Sequence, residues 1–277
     1  RGAIVWNDEC YRVMGTKLCK IAAGGALTVL GDVGAGGQVR MVYSFDRLAI
    51  ASGGNLFYWN GTTLTQVTDP DIGTVLDVDW VDGYFMTTDG EFLVITELTD
   101  PTAVNPLKYG SSEIDPDPIN AVIKVRNEPH AVNRYTIEAF DNIGGDNFPF
   151  QRINGAQIQK GAVGSRACCL FMDAIVFVGS GRNEQVSVYI GANGQTQRIA
   201  TREIDKKLAE LTAAQLADVI VESRVGEGFS TLYVHLPTVT LAYDAAASAA
   251  LSQPVWYYLT TSINGIGAYR ARSHVWC

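Results

Sequence analysis

The segment Glu113-Ile114-Asp115-Pro116-Asp117-Pro118 sets three carboxylates at alternate positions of an extended stretch. Such spacing suits Ca²⁺, a hard cation that collects six to eight oxygen ligands. The segment lacks the glycine and the closing glutamate of an EF-hand loop, and its two prolines fit a solvated connection better. Gly31-Asp32-Val33-Gly34-Ala35-Gly36-Gly37 has the glycine density of a phosphate cradle. No Lys-Ser or Lys-Thr completes a P-loop and no helical pattern follows, so it reads as a turn between structural units.

His130, His235 and His274 stand far apart in the chain, with none of the short spacings of zinc motifs. His235 alternates with Tyr233 at the end of a strand pattern, which predicts a hydrogen-bonding role rather than a catalytic one. There are five cysteines, Cys10, Cys19, Cys168, Cys169 and Cys277, with no C-x-x-C pair among them. They read as buried reduced thiols of a cytoplasmic protein. If Gly15-Thr16 is a two-residue turn, Cys19 faces Arg12 and Cys10 faces Ile21, a diagonal unsuited to a disulfide. No G-x-S-x-G elbow occurs. Trp6, Trp59, Trp80, Trp256 and Trp276 fall in or beside strand patterns, where packing is the default for an aromatic. The expectation is therefore no catalytic residue, no cofactor, no metal site and no enzymatic activity.

Positioning elements come from the composition and from a repeat. The chain has 277 residues, 47% of them hydrophobic, which excludes a disordered coil. With 21 basic and 29 acidic residues the formal charge is −8, which argues against binding nucleic acid through an overall basic field. No apolar run is long enough to cross a membrane as a helix, Ala245 to Tyr269 being broken by polar residues and Pro254. The first residue is Arg1 and the last are Val275-Trp276-Cys277, so the sequence is expected to be a piece of a longer protein, residues 1–277 forming a single domain of it.

Asp46 to Trp59 lies over Asp82 to Ile95 without a gap, Gly53-Gly54 falling on Asp89-Gly90; Asp8 and Gly15-Thr16 precede them in the same places. Each unit reads as a hairpin whose two-residue turn supplies the positive φ of type I′ geometry. Flanking strands are expected at Val39 to Phe45, Leu64 to Val67, Val75 to Val81 and Leu107 to Tyr109. Looser units follow through Ile119 to Val125 with Tyr135 to Phe140, Cys168 to Val178 with Val186 to Ile190, and Val219 to Leu259. Repeats of roughly 35 to 50 residues per four-stranded unit predict an all-β chain, a β-propeller of about six antiparallel blades, with a seventh unit opening near Ile266. Stacked hairpins in a sandwich are the structural alternative. Asp82-Gly83 and Asp89-Gly90 are only fragments of the Asp-box of sialidase-type propellers. From Arg202 to Val219 the apolar spacing turns helical, and Thr212-Ala213-Ala214-Gln215 is a capping box, predicting two short helices near 203–210 and 213–219. They either close one end of a blade or protrude toward a partner.

Strings spread along these units give the chain a family likeness. They are Tyr11-Arg12-Val13 with Gly15, Lys17-Leu18 and Lys20; Ile95-Thr96 with Leu98 and Asp100; Thr136-Ile137-Glu138 with Phe140; and Gln159-Lys160-Gly161. Ser187-Val188-Tyr189-Ile190, Ile199-Ala200-Thr201 with Ile204 and Lys206, and His235-Leu236-Pro237 with Leu241, Tyr243-Asp244-Ala245, Pro254 and Trp256 follow in order. In these the chain resembles the tail hub, or packaged-DNA stabilisation, proteins of short-tailed bacteriophages. The resemblance implies a structural protein of the virion tail, assembled in the host cytoplasm in several copies. It would cap the portal and adaptor rings, retain packaged DNA, and contact the tail needle and tailspikes, without a membrane or sequence-specific nucleic-acid partner. Family members continue into a further C-terminal β region that is missing here. A carbohydrate-binding or glycoside-hydrolysing propeller is the other class, since two carboxylates from different blades can converge.

Overall fold

The computed structural model describes residues 1–261, 269 and 271–275. Within them lie six antiparallel sheets, and in five of them the strands that are consecutive in sequence are neighbours. The first comprises β1 (Gly2–Trp6), β2 (Glu9–Met14), β3 (Lys17–Ile21) and β4 (Leu27–Asp32). The second comprises β5 (Arg40–Tyr43), β6 (Leu48–Ser52), β7 (Asn55–Trp59) and β8 (Leu64–Gln66), and the third β9 (Asp77–Val81), β10 (Tyr84–Thr88), β11 (Phe92–Thr96) and β12 (Val104–Ser111). The fourth holds β13 (Ile119–Val125), β14 (Glu128–Asn133), β15 (Ile137–Asn142) and β16 (Phe150–Arg152). In the fifth, β17 (Gly161–Ala162) and β18 (Cys168–Phe171) both pair with β19 (Ala174–Ser180), followed by β20 (Ser187–Ala192) and β21 (Gln195–Arg198). After α1 (Arg202–Ala209) and α2 (Ala213–Ala217) comes the sixth: β22 (Ile220–Gly226), β23 (Phe229–His235), β24 (Thr240–Asp244), α3 (Ala245–Leu251) and β25 (Trp256–Leu259). These are the six blades of a β-propeller, as the repeat predicts, the fifth carrying β17 and β18 side by side on β19 and so counting five strands. The seventh unit expected near Ile266 lies outside the described residues.

The chain forms two compact units, Arg1–Ser112 with Asp141–Gln151 and Arg272–Cys277, and Glu113–Phe140 with Arg152–Ala271. In the first, β6 explains why central strands read as unbroken apolar runs. All five of its residues are buried, Leu48 and Ile50 against Trp6, Tyr11 and Val13, and Ala49 and Ala51 against Val75, Val78 and Phe85. Alternate side chains feed two cores, one on each face, large on one side and small on the other. The second unit is held by one cluster running from Ile123 and Val132 through Phe177 and Val188 to Leu232 and Leu241.

Turn chemistry departs from expectation at one repeat position. Gly53 and Gly54 take φ of 58° and 81° between Ser52 and Asn55, the predicted two-residue turn. Thr88 instead pairs with Leu93, so the Asp89-Gly90 connection is longer, and the Asp89 carboxylate accepts from the Glu91 and Phe92 amides. The two-residue Asp-Gly turn is Asp82-Gly83, with φ of 49° and 92°. The run Cys168 to Val178 is a hairpin rather than one strand, folded at Met172-Asp173 with φ of 51° and 60°. Phe45, expected in a strand, sits in the turn that joins Tyr43 to Leu48. Helices α1 and α2 fall where predicted, and the capping box of Thr212 and Gln215 forms.

Candidate functional site

The acidic segment does not gather its carboxylates. Asp115 receives two hydrogen bonds from the Arg182 guanidinium, at 2.7 and 2.6 Å, which hold its carboxyl below the usual range. Asp117 accepts from the Tyr135 amide and from the Thr136 hydroxyl, the latter at 3.2 Å, while its burial pushes the carboxyl up. Arg134 and Arg182 both lie over the Tyr135 ring, 4.5 and 4.9 Å from its centre. The segment is tied down by cations and amides, the opposite of a cation site. Among the described residues no three His, Cys, Asp or Glu side chains come together in a way that could hold a metal ion.

The glycine-rich segment connects β4 to β5 and turns carbonyls, not amides, inward. The Arg1 guanidinium donates to Gly37 O at 2.7 Å, Gly15 O at 2.9 Å, Gly34 O at 2.5 Å and Ser52 Oγ at 2.8 Å. A phosphate cradle presents N–H groups; this loop cups a cation. Asp32 closes it by accepting from Gly34 N at 2.7 Å, with Lys17 and Thr16 on its second oxygen, and these bonds lower its pKa to about 2.

His235 is buried, its Nδ1 3.0 Å from Thr240 Oγ1 and its ring parallel to those of Tyr233 and Tyr269. That is the structural role its strand position predicts. His130 donates from Nδ1 to Glu128 O at 3.0 Å, and burial lowers its pKa. It lines a small cleft with Arg126, Asp173 and Asn193, of about 50 Å³, room for solvent rather than for a sugar ring. His274 is half-buried in the 271–275 segment. Cys10, Cys19, Cys168 and Cys169 are buried and unbridged, and the register sets Cys10 opposite Ile21 and Cys19 opposite Arg12 as expected. Cys277 and Trp276 lie outside the described residues. Trp6 and Trp59 are core residues, and Trp256 donates to Ile199 O at 2.8 Å.

In the second unit the helical insertion has one buried and one exposed face. Ile204 and Leu208 bury one face of α1 in the core, and Asp205, buried beside them, accepts from Ser187 and pairs with Arg198. Arg202, Glu203 and Lys206 face solvent, and Tyr258 donates to Glu203 at 2.8 Å. None of α2 is buried. The insertion thus caps its blade with one face and leaves a charged face open. Among the described residues, no helix is long and apolar enough to cross a membrane.

Comparison with known proteins adds the remaining facts. A family model described as "Bacteriophage P22 Gp10, beta-propeller" matches residues 1–277. The tail hub protein gp10 of Salmonella phage P22 is 29% identical over 275 residues, an alignment that covers 93% of this chain and 56% of that protein. The chain thus spans about half the length of this curated relative. Among solved structures, the N-terminal domain of Nup159 superposes with a TM-score of 0.55 at 8% identity, covering 97% of this chain and 80% of that one. The Pan2 WD40 domain of Neurospora crassa gives 0.55 at 10% identity, covering 88% and 74%. At such identities the likeness is one of fold alone.

Proposed function

Since the chain belongs to the family described as the β-propeller of bacteriophage P22 Gp10, we propose that it is the propeller of a phage or prophage tail hub, a structural part of the virion tail without catalytic activity. In this reading residues 1–277 are one propeller domain, and the longer protein adds a further β region, in keeping with the 56% of the P22 relative that the chain spans. Several copies cap the portal–adaptor channel after assembly in the host cytoplasm, brace the packaged DNA, and carry the tail needle and tailspikes. The observation that carries it is the match along the whole chain. The chemistry agrees, for each candidate site is consumed by an internal pairing: Asp115 by Arg182, the glycine loop by Arg1, His235 by Thr240. The formal charge of −8 repels phosphate, so DNA would be retained by obstruction and bracing while remaining free to slide at ejection.

Co-sedimentation of the full-length protein with the portal–adaptor complex of the same genome tests this. The two should migrate together at micromolar concentration; separate migration of well-folded components would refute it.

A further inference from the structure

Four connections of the first unit lie at the same end of their blades: 44–47 between β5 and β6, 82–83 between β9 and β10, 97–103 between β11 and β12, and 143–149 between β15 and β16. Each joins an odd strand to the even strand after it, and direct contacts draw them together. Arg47 lies over the Tyr58 ring, whose hydroxyl donates to Pro101 O at 2.9 Å. Leu98 fills the space above Gly83, its methyl 2.8 Å from where a Cβ would stand. Asn142 donates to Asp82 at 2.9 Å. Phe45 stands edge-on to Trp80, ring centres 5.4 Å apart.

These contacts leave three large apolar side chains in solvent. Phe45 is 90% exposed, Ile143 63% and Leu98 55%. The same four connections carry Asp46, Asp82, Glu97, Asp100 and Asp146, and Asp141 stands at the end of β15 that leads into the last of them, six carboxylates in all. The cations among them are Arg47, paired with Asp46 at 2.5 Å, and Lys108, paired with Glu97 at 2.7 Å, so the formal balance is −4. An aromatic held against a second ring, outside any core, has the character of an interface anchor, since burying such a side chain on binding removes a large apolar surface from water. The carboxylate rim selects the partner. It repels nucleic acid and anionic lipid and complements lysine and arginine.

We propose that this end of the first unit docks a protein whose contact region is an apolar pocket rimmed by Lys and Arg, with Phe45 as the anchor. The proposal rests on the tail-hub reading for the identity of that protein, one of the other tail components. The test uses the full-length protein, with the portal–adaptor complex, tail needle and tailspike of the same genome as separate probes. Phe45→Ser should weaken binding to one of them by about tenfold or more, with a melting temperature within about 2 °C of wild type. The Asp141→Asn/Asp146→Asn double variant, which removes only exposed charge, should slow association and flatten its salt dependence. Val29→Ser, at an exposed apolar position on β4, should bind as wild type. Wild-type affinity of both test variants for all three probes would overturn the docking surface and leave the tail-hub reading standing. A wild-type protein that binds none of the three overturns that reading and this surface with it. Phe45-dependent binding to duplex DNA or to phosphatidylserine vesicles would overturn the assignment to a protein partner.

Discussion

Arg182 meets Asp115 through two near-parallel hydrogen bonds, 67 residues apart in the chain, and the same guanidinium stacks on Tyr135. The pair decides the fate of the acidic segment, because the carboxylate best placed to bind calcium already carries a counter-ion. Millimolar Ca²⁺ should therefore leave the thermal midpoint within about 1 °C of its metal-free value, whereas a site filled at a hundred times its Kd would add about 2.7 kcal/mol. A saturable rise of several degrees would show that the segment binds the ion.

The pH dependence of the glycine loop follows from Asp32. Its folded pKa of about 2 lies below the ordinary carboxylate value of about 4, so its contribution is present above the latter and lost as pH falls toward the former. Asp32→Asn should lower the urea midpoint at pH 7. The gap to wild type should narrow between about pH 4 and pH 2. A gap that is constant across this window would mean that the ionised carboxylate is not what matters.

Gly179 lets two backbones meet in the fifth blade. A Cβ there would lie 1.7 Å from Gly161 O, where no flexible side chain can yield. Gly179→Ala should destabilise by about 3 kcal/mol or more, at or above the usual range for overpacking, read as a lower urea midpoint. A cost under about 1 kcal/mol would show that β17 moves freely away from β19.

Buried thiols predict a two-stage reaction. In a Cys277→Ser variant, the four remaining cysteines should resist a thiol reagent in the folded state and titrate as four equivalents in denaturant without reductant. Two equivalents would mean a disulfide.

The repeat was legible because propeller strands obey a strong local rule: β6 and β7 are apolar at nearly every position, and the glycines between them demand a tight turn. What escaped had weaker local chemistry. The sequence pattern marks no strand over 128–133; β14 forms there although it holds Pro129, because β14 pairs with β15 only from His130 onward and the missing amide breaks no ladder. Met172-Asp173 lacks the Asn or Gly that marks a type I′ turn. The signal for α3 was present in Asp244, which caps the Ala247 amide, followed by an alanine-rich run. The internal pairings of Arg182 and Arg1 bridge 67 and up to 51 residues, and no local pattern announces such partners. Phe45 continues the apolar run of β5, and only the four-residue turn of the structure puts it into solvent.

The most direct measurement is electron microscopy of the full-length protein mixed with the portal–adaptor complex encoded beside it. A ring of propellers should cap the adaptor in multiple copies, with protein–protein contacts alone at its surface. Adaptor rings that remain bare beside folded, soluble propeller would contradict a role in the tail hub.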